Sequence, residues 1–485
     1  MNKDAKKPTK LPTPTEVHAL NLYTPRPYFS LVILCIASFL TSASMAENGP
    51  PKANKDVSTL SVDNDLKSAE PTIEVSATAI HRNFSNNDTF KDTLLGLAEA
   101  RYLQNDFVID LGIIYQNQDD KGVTLNQLAV SDYHKKFDYK IGKFVTKVGV
   151  LDYASSINSF NRTRTDYYDE RNINIRSVPA WMAQINMHPS EDSTVSLIVQ
   201  PYDKENSYYS QSATQFSVDS LIPFLLTNTN DDTLDYLGEQ LFVPIYEKDG
   251  KPAVERYIDS KQPDIDNSFN NSTIGMNFAT NKEDYSYGLF VLMGLSKNPL
   301  FTLDEEFVAA ASNLDEEDRA IYVADYLAQI DNEPIKSIEY YRYNQIAGYY
   351  ESTFGNFGLR GEVSFRDRFA LLNKTAPQVS LGIGLDHQGA IYNNVEFQYF
   401  SFPTEDLSAY YAIWTLQFDP FRFANGNVQF KNTLSYAVVN DLDLAASLSR
   451  LTYTYEDYSL GLEYLANSRP EYSPDTASIV LKATF

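Results

Sequence analysis

From Thr72 onward, apolar and polar side chains alternate with a period of two. Ile73, Val75, Ala77 and Ala79 interleave with Glu74, Ser76 and Thr78. Phe107, Ile109, Leu111, Ile113 and Tyr115 fall on one face, with Asp110 and Gln116 on the other. Phe357, Leu359, Val363 and Phe365 alternate with Arg360, Glu362, Ser364 and Arg366, and Val379, Leu381, Ile383 and Leu385 with Ser380, Gly382, Gly384 and Asp386. A period of two is the mark of a strand with two unlike faces. The pattern predicts eighteen strands near 72–83, 92–104, 106–117, 123–135, 137–149, 178–188, 192–202, 269–281, 284–298, 338–352, 355–368, 376–386, 390–402, 407–419, 426–438, 442–454, 457–467 and 475–485.

The lengths of the connections carry a second message. With the first strand running outward, the short turns (Gln104–Asp106, Lys135–Asp138, His188–Asp192, Asn281–Asp284, Thr353–Asn356, Asp386–Ala390) all fall at one end. The long connections 150–177, 203–268 and 299–337 all fall at the other. Alternating segments of about ten residues, even in number, with short turns at one rim and long loops at the other, describe a bacterial transmembrane barrel. The expected fold is therefore all-β: one antiparallel transmembrane β-barrel of 16–18 strands over residues 72–485, with both termini at the short-turn end and some helix in the long loops. Thr302 with Glu305 reads as a capping box ahead of Phe307–Ala311, and Ile321, Ala324, Leu327 and Ile330 recur at helical spacing.

The first 46 residues read differently. Lys3, Lys6, Lys7, Lys10 and Arg26 precede an apolar core, Tyr28–Leu40, and Ser44-Met45-Ala46 supplies small residues for cleavage. This is a signal-peptide pattern, and it is followed by a polar leader over 47–71. Cleavage leaves 35 basic and 62 acidic residues and removes the only cysteine, Cys35. The mean hydropathy of −0.35 excludes a polytopic helical membrane protein. The whole-chain charge of −24 argues against a nucleic-acid partner, which needs basic surface to displace counterions. Of the −27 left after cleavage, loops 203–268 and 299–337 each contribute −8. Such acidic loops concentrate cations or bind the divalent ions that bridge lipopolysaccharide, or serve simply as a solvated surface.

The C-terminus resembles the assembly signal of Gram-negative outer-membrane barrels. Phe485 is terminal, with Ala483, Leu481 and Ile479 at alternate positions before it. The resemblance implies recognition by the barrel-assembly machinery and residence among outer-membrane lipid and lipopolysaccharide. Tyr139–Asn172, with Gly142-Lys143, Gly149 and Asp152, resembles a porin strand entering its third outer loop, and is similar to the same region of alginate-export-like families. That resemblance implies a loop that folds inward, passive passage of small hydrophilic solutes or ions, and a homotrimer.

Lumen-facing positions by alternation include Glu99, Arg101, Asp110, Lys143, Lys147, Arg342, Arg360, Glu362, Arg366, Asp386, Glu396 and Lys482. Lys143, Lys147, Arg342, Arg360, Glu362 and Arg366 are the wall candidates for a pore lining or constriction. Arg162, Arg164, Asp166, Asp169, Glu170 and Arg171 are the loop candidates, with Arg176 beyond them. Tyr341, Tyr343, Tyr349, Tyr410, Trp414 and Phe418 read as interfacial girdle aromatics. Catalysis has little support: His81, His134, His188 and His387 lack metal-ligand spacing, and no cofactor or metal motif stands out. The alternatives are a surface-binding or adhesion barrel with its pore covered by loops, a substrate-specific exporter and, behind both, an outer-membrane hydrolase.

Overall fold

The computed structural model describes residues 71–84, 93–116, 122–152, 155–157, 159–163, 177–202, 260–261, 263, 265, 268–297, 300–312, 314, 318, 321–322, 325–326, 335–371, 374–405, 407–439, 442–468 and 475–485. The signal-peptide and leader segments, and most of loops 164–176 and 203–267, lie outside the described residues. Eighteen long strands follow the predicted order: β1 (Thr72–Phe84), β2 (Thr93–Gln104), β3 (Phe107–Gln116), β4 (Gly122–Tyr133), β5 (Phe137–Phe144), β6 (Ala180–Ser190), β7 (Ser193–Gln200), β8 (Thr273–Asn281), β9 (Tyr285–Leu295), β10 (Arg342–Phe354), β11 (Phe357–Leu371), β12 (Lys374–His387), β13 (Ile391–Phe402), β14 (Leu407–Phe418), β15 (Gly426–Val439), β16 (Leu442–Tyr455), β17 (Tyr458–Asn467) and β18 (Thr476–Thr484).

Each strand pairs antiparallel with its chain neighbours. The ring shuts where β1 meets β18, in register from Ser76↔Thr484 to Phe84↔Thr476. Two backbone bonds between Val75 and Phe485, at 3.1 and 2.7 Å, finish that seam. Closure matters because an open edge leaves a row of unpaired amides, which a hydrocarbon medium does not tolerate.

The two faces of the wall are inverted relative to a water-soluble barrel. Leu481, Val363, Ile141 and Leu289 point outward and are 50–53% exposed, whereas Ser380, Asn394 and Thr415 point inward and are fully covered. Phe107, Phe137, Tyr285, Phe357, Tyr458 and Phe485 form an outward aromatic band at the short-turn rim; Tyr115, Trp181, Phe365, Tyr410 and Tyr464 form another toward the long-loop rim. Along β17, Tyr458 and Tyr464 lie about 20 Å apart at ~3.3 Å per residue. Residues of the assembly-signal pattern, Ile479, Leu481 and Phe485, are exposed on the outward face.

Short turns rely on left-handed residues where the chain reverses in two positions. Asn105 (φ 52), Gly355 (φ 60) and Glu456 (φ 49) do this between β2–β3, β10–β11 and β16–β17. In the loop between β9 and β10, Leu300–Leu303 pairs with Ile335–Glu339, and helix α1 (Glu305–Ser312) follows the first of these. The cap of α1 is Asp304, whose Oδ1 accepts the Phe307 amide at 2.9 Å, instead of the expected Thr302. Thr302 lies in the short strand and bonds Glu339 at 3.3 Å. The second helical stretch is described only at Asp318, Ile321–Tyr322 and Asp325–Tyr326, all helical.

Candidate functional site

Strand β5 ends five residues earlier than the alternation predicts. Asn161 is the reason. Its Oδ1 accepts the Thr146 amide at 2.8 Å, and its Nδ2 donates to the carbonyls of Phe144 and Val178 at 3.2 and 2.9 Å. This side chain pins the two ends of the loop together, so that β5 pairs directly with β6 behind it, Phe144 opposite Ala180. The described chain between, 145–152, 155–157 and 159–161, turns inward as an arch.

The arch crosses the barrel. It leaves the ring at β5 and reaches β13, eight strands round a ring of eighteen and so close to the opposite wall. At its tip, Glu362 of β11 receives the amides of Val150 and Leu151 at 2.6 and 2.9 Å and the Ser155 hydroxyl at 2.9 Å. Glu396 of β13 receives the Asp152 amide at 2.9 Å. Three successive backbone N–H groups thus meet two wall carboxylates, and hydrogen bonds to charged acceptors are the stronger kind. Gly149 precedes them at φ 101, and a Cβ there would lie 2.4 Å from Glu362 Oε1. Only glycine lets the turn approach the carboxylate so closely.

Arg360 completes the tip from the wall side. Its guanidinium pairs with Asp152, and lies 3.3 Å from Asp386 and 3.4 Å from Glu396. It also reaches Asn394 Oδ1 at 3.1 Å and the Val150 carbonyl at 3.4 Å. On its return the arch hands Ser156 to the wall. The Ser156 hydroxyl sits 2.6 Å from that of Ser380, and its carbonyl accepts from Gln345 and Arg366, both at 2.9 Å. Arg366 bonds Ser159 as well, at 2.9 Å, and lies over the Tyr343 ring.

Apolar contacts hold the rest. Val148, Ile157 and Phe160 pack with Phe144, Met182, Ile198, Phe290, Leu292 and Tyr343, lining the inner faces of β5–β10. Missing side chains in the wall make room for this. A Cβ on Gly275 would lie 2.4 Å from the Phe160 ring, and one on Gly382 2.4 Å from Leu151 Cδ1. Gly275 and Gly382 are therefore sockets for two arch side chains.

A string of hydrogen bonds leads from the root of the arch to the short-turn rim. Thr146 donates to Gln184 (3.1 Å), Gln184 to Asn186 (3.0 Å) and Asn186 to Asp138 (2.5 Å), whose other oxygen faces His188 Nε2 at 2.7 Å. His188 Nδ1 lies 3.2 Å from the Thr194 hydroxyl.

The candidates named from the sequence divide into groups. Arg360, Glu362 and Arg366 converge on the arch, joined by Asp386 and Glu396. Lys147 rides on the arch itself instead of the wall, 3.8 Å from Asp152. Lys143 pairs with Leu128 and Trp181 near the end of β5, is 9% exposed against their 38% and 46%, and sends its Nζ to the Leu125 carbonyl at 3.2 Å. Arg342 shares the face of Asn344 and Ile346 at the long-loop rim, where it donates to the Asn270 carbonyl. Arg342 thus departs from the expected inward orientation, because it falls on the face of β10 that carries Ile346 outward. Asp110 pairs with Lys140 at 3.1 Å and Arg101 at 3.6 Å across the inner face. Glu99 opposes Ser76 and Gly112, and Lys482 opposes Thr78 and Ser459. Arg162 lies in a two-residue strand paired with Ser177–Val178. Arg164, Asp166, Asp169, Glu170, Arg171 and Arg176 lie outside the described residues.

The aromatics split too. Tyr410, Trp414 and Phe418 face outward, as expected of a girdle. Tyr343 and Tyr349 instead face inward and Tyr341 packs beside them, because the arch supplies apolar surface inside the barrel. Sequence reasoning missed Asn161, Ser155 and Ser156. The small residues of β12 were visible as one face of a strand, with no sign that a distant loop would fill it.

No protein-family model matches the chain. No curated protein matches its sequence. Among solved structures it is similar to three from Pseudomonas aeruginosa. OccK3 (OpdO) gives a TM-score of 0.46 at 8% identity, over 86% of this chain and 96% of that one. OpdK with vanillate gives 0.46 at 8%, over 86% and 98%. OccK2 (OpdF) in complex with glucuronate gives 0.45 at 10%, over 86% and 96%. At these values the fold assignment rests on the strand pairings of the chain itself.

Proposed function

We propose that this chain is an outer-membrane, porin-like channel for the passive passage of small hydrophilic solutes or ions, exported through its N-terminal signal. The observation that carries the reading is the inverted wall: eighteen closed strands, apolar outside and polar inside, with aromatic bands at both rims. Such a wall is built for a hydrocarbon surround and a hydrated interior. The short-turn rim is then periplasmic, and the acidic loops face outward toward lipopolysaccharide. Phe485 and its alternating neighbours serve the barrel-assembly machinery. The arch is the constriction. Its wall candidates Arg360, Glu362 and Arg366 act there by holding the loop, and Lys147 faces the passage from the loop side. A homotrimer, the porin-like assembly, and an alginate-export-like subfamily remain extensions of this reading on resemblance alone.

One observation favours the rival reading of a covered, surface-binding barrel. Inner-face residues far from the arch are also out of reach of solvent, among them Ile80, Leu97, Thr433 and Val480, all at 0–2%. Single-channel recording of the refolded mature chain in a planar bilayer under a salt gradient separates the two. Stable conductance steps support the channel. Silence from a folded, heat-modifiable barrel would overturn it in favour of the covered one.

A further inference from the structure

The two terminal nitrogens of Arg360 sit among several acceptors, while its buried Nε has no hydrogen-bond partner. Five oxygens from three places in the chain surround its two terminal nitrogens: Asp152 and the Val150 carbonyl from the arch, Asp386 from β12, and Asn394 and Glu396 from β13. The guanidinium is 2% exposed. Three carboxylates face this guanidinium and Lys147 lies 3.8 Å from one of them, so the seat still holds more negative charge than positive. The contacts other than Asp152 lie at 3.1–3.4 Å, hydrogen-bonding distances to N–H donors. These oxygens are spread round both terminal nitrogens of one planar group, which is the fork geometry a guanidinium presents. Two of the five oxygens belong to the arch and three to the opposite wall. Whatever fills the seat therefore ties one to the other.

We propose that the seat beneath the arch tip is a guanidinium site. Arg360 is its tethered occupant, and once Arg360 is removed a free guanidinium is the chemical class that can take its place. Occupancy fastens the arch across the barrel; vacancy leaves Asp152, Asp386 and Glu396 facing each other and drives the tip away. Arg360 is thus a positioning residue. The seat stands on its own geometry, and the proposal leans on the channel reading only for its electrical readout.

The test uses the mature chain, which after cleavage carries no cysteine. Ser156→Cys with Ser380→Cys places a thiol pair where the hydroxyls are 2.6 Å apart, so the rate of disulfide closure under mild oxidation reports arch seating. Adding Arg360→Ala is expected to slow closure on the order of a hundredfold, since removing one partner of a buried charged cluster strands the others. Methylguanidinium at millimolar concentration should restore the rate, and tetramethylammonium, which has no N–H, should not. Arg360→Lys should fall between. In bilayers, Arg360→Ala should raise conductance and methylguanidinium should lower it again. Unchanged closure in Arg360→Ala, or equal rescue by the two cations, overturns the proposal. If Arg360→Ala does not fold, Asp152→Asn, which alters only the arch side of the seat, must slow closure or the proposal fails. A parent protein that is silent in bilayers sinks the channel reading and leaves the cross-linking result standing.

Discussion

Replacing Glu362 by alanine removes the carboxylate that takes three hydrogen bonds from the arch, at 2.6, 2.9 and 2.9 Å. The amides of Val150 and Leu151 lose their acceptor, and the Ser155 hydroxyl loses its partner. Each buried donor left unpaired costs about 1–3 kcal/mol, which for two amides gives about 2–6 kcal/mol against the seated tip. At about 1.4 kcal/mol per decade, the equilibrium between seated and released tip shifts by ~30-fold at the low end and ~10⁴-fold at the high end. The loss reaches Ser155 and the adjoining Ser156 and stops at Ile157, because Ile157, Phe160 and Asn161 hold the rest of the return limb through separate contacts. Amide hydrogen exchange reads it directly: Val150 and Leu151 should lose protection by at least the lower factor while Ile157 keeps its own. Conductance should rise in parallel. Glu362→Gln, which keeps one acceptor oxygen, should lose less. Unchanged protection at Val150 and Leu151 in a folded Glu362→Ala barrel would refute the assignment of the wall carboxylate as the tip's anchor.

Other substitutions probe the arch at other points. Gly382→Ala drives a methyl to within 2.4 Å of Leu151 Cδ1; overpacking of this kind costs about 1–3 kcal/mol, and should show as faster exchange at Leu151 with the barrel's melting temperature nearly unchanged. Asn161→Ala strips the root of its three bonds and should cost about 1–3 kcal/mol in arch stability, read as proteolytic cleavage between 145 and 161 in an otherwise intact barrel. The hydrogen bond from Lys336, then the Phe307 amide, hold the Asp304 carboxyl below its ordinary range. A lowered carboxyl stabilises above its unfolded value and loses that contribution as pH falls through its folded one. Exchange at the Phe307 amide should therefore gain protection as pH rises across the acid range in the wild type, after correction for intrinsic rates, and lose that dependence in Asp304→Asn.

The wall was legible in the sequence because each strand carries its own evidence. Outward Leu359, Val363 and Phe365 alternate with inward Arg360, Glu362 and Ser364 within one short stretch, and nothing beyond that stretch is needed to sort them. The arch was legible only as a resemblance around Gly149 and Asp152. Its anchors are non-local: Val150 and Glu362 are 212 positions apart, and no periodicity links them. Alternation also misplaced Arg342, the first residue of β10, whose face is the one that carries Ile346 outward four positions on. Gly382 and Gly384 showed a small face on β12, but a vacancy and a socket look the same until the side chain that fills it is known.

The direct pairing of β5 with β6 behind the arch has a consequence for the order of assembly. The wall on that side can zip shut without the arch in place, since Phe144 meets Ala180 whether or not the tip is anchored. The seat, however, is made of β11, β12 and β13, more than 200 residues along the chain from the arch. The arch can dock only once those strands have taken their places in the wall. Its docking is a late folding event that reports completion of the wall it lands on, and a chain halted before β13 carries an arch with nowhere to go.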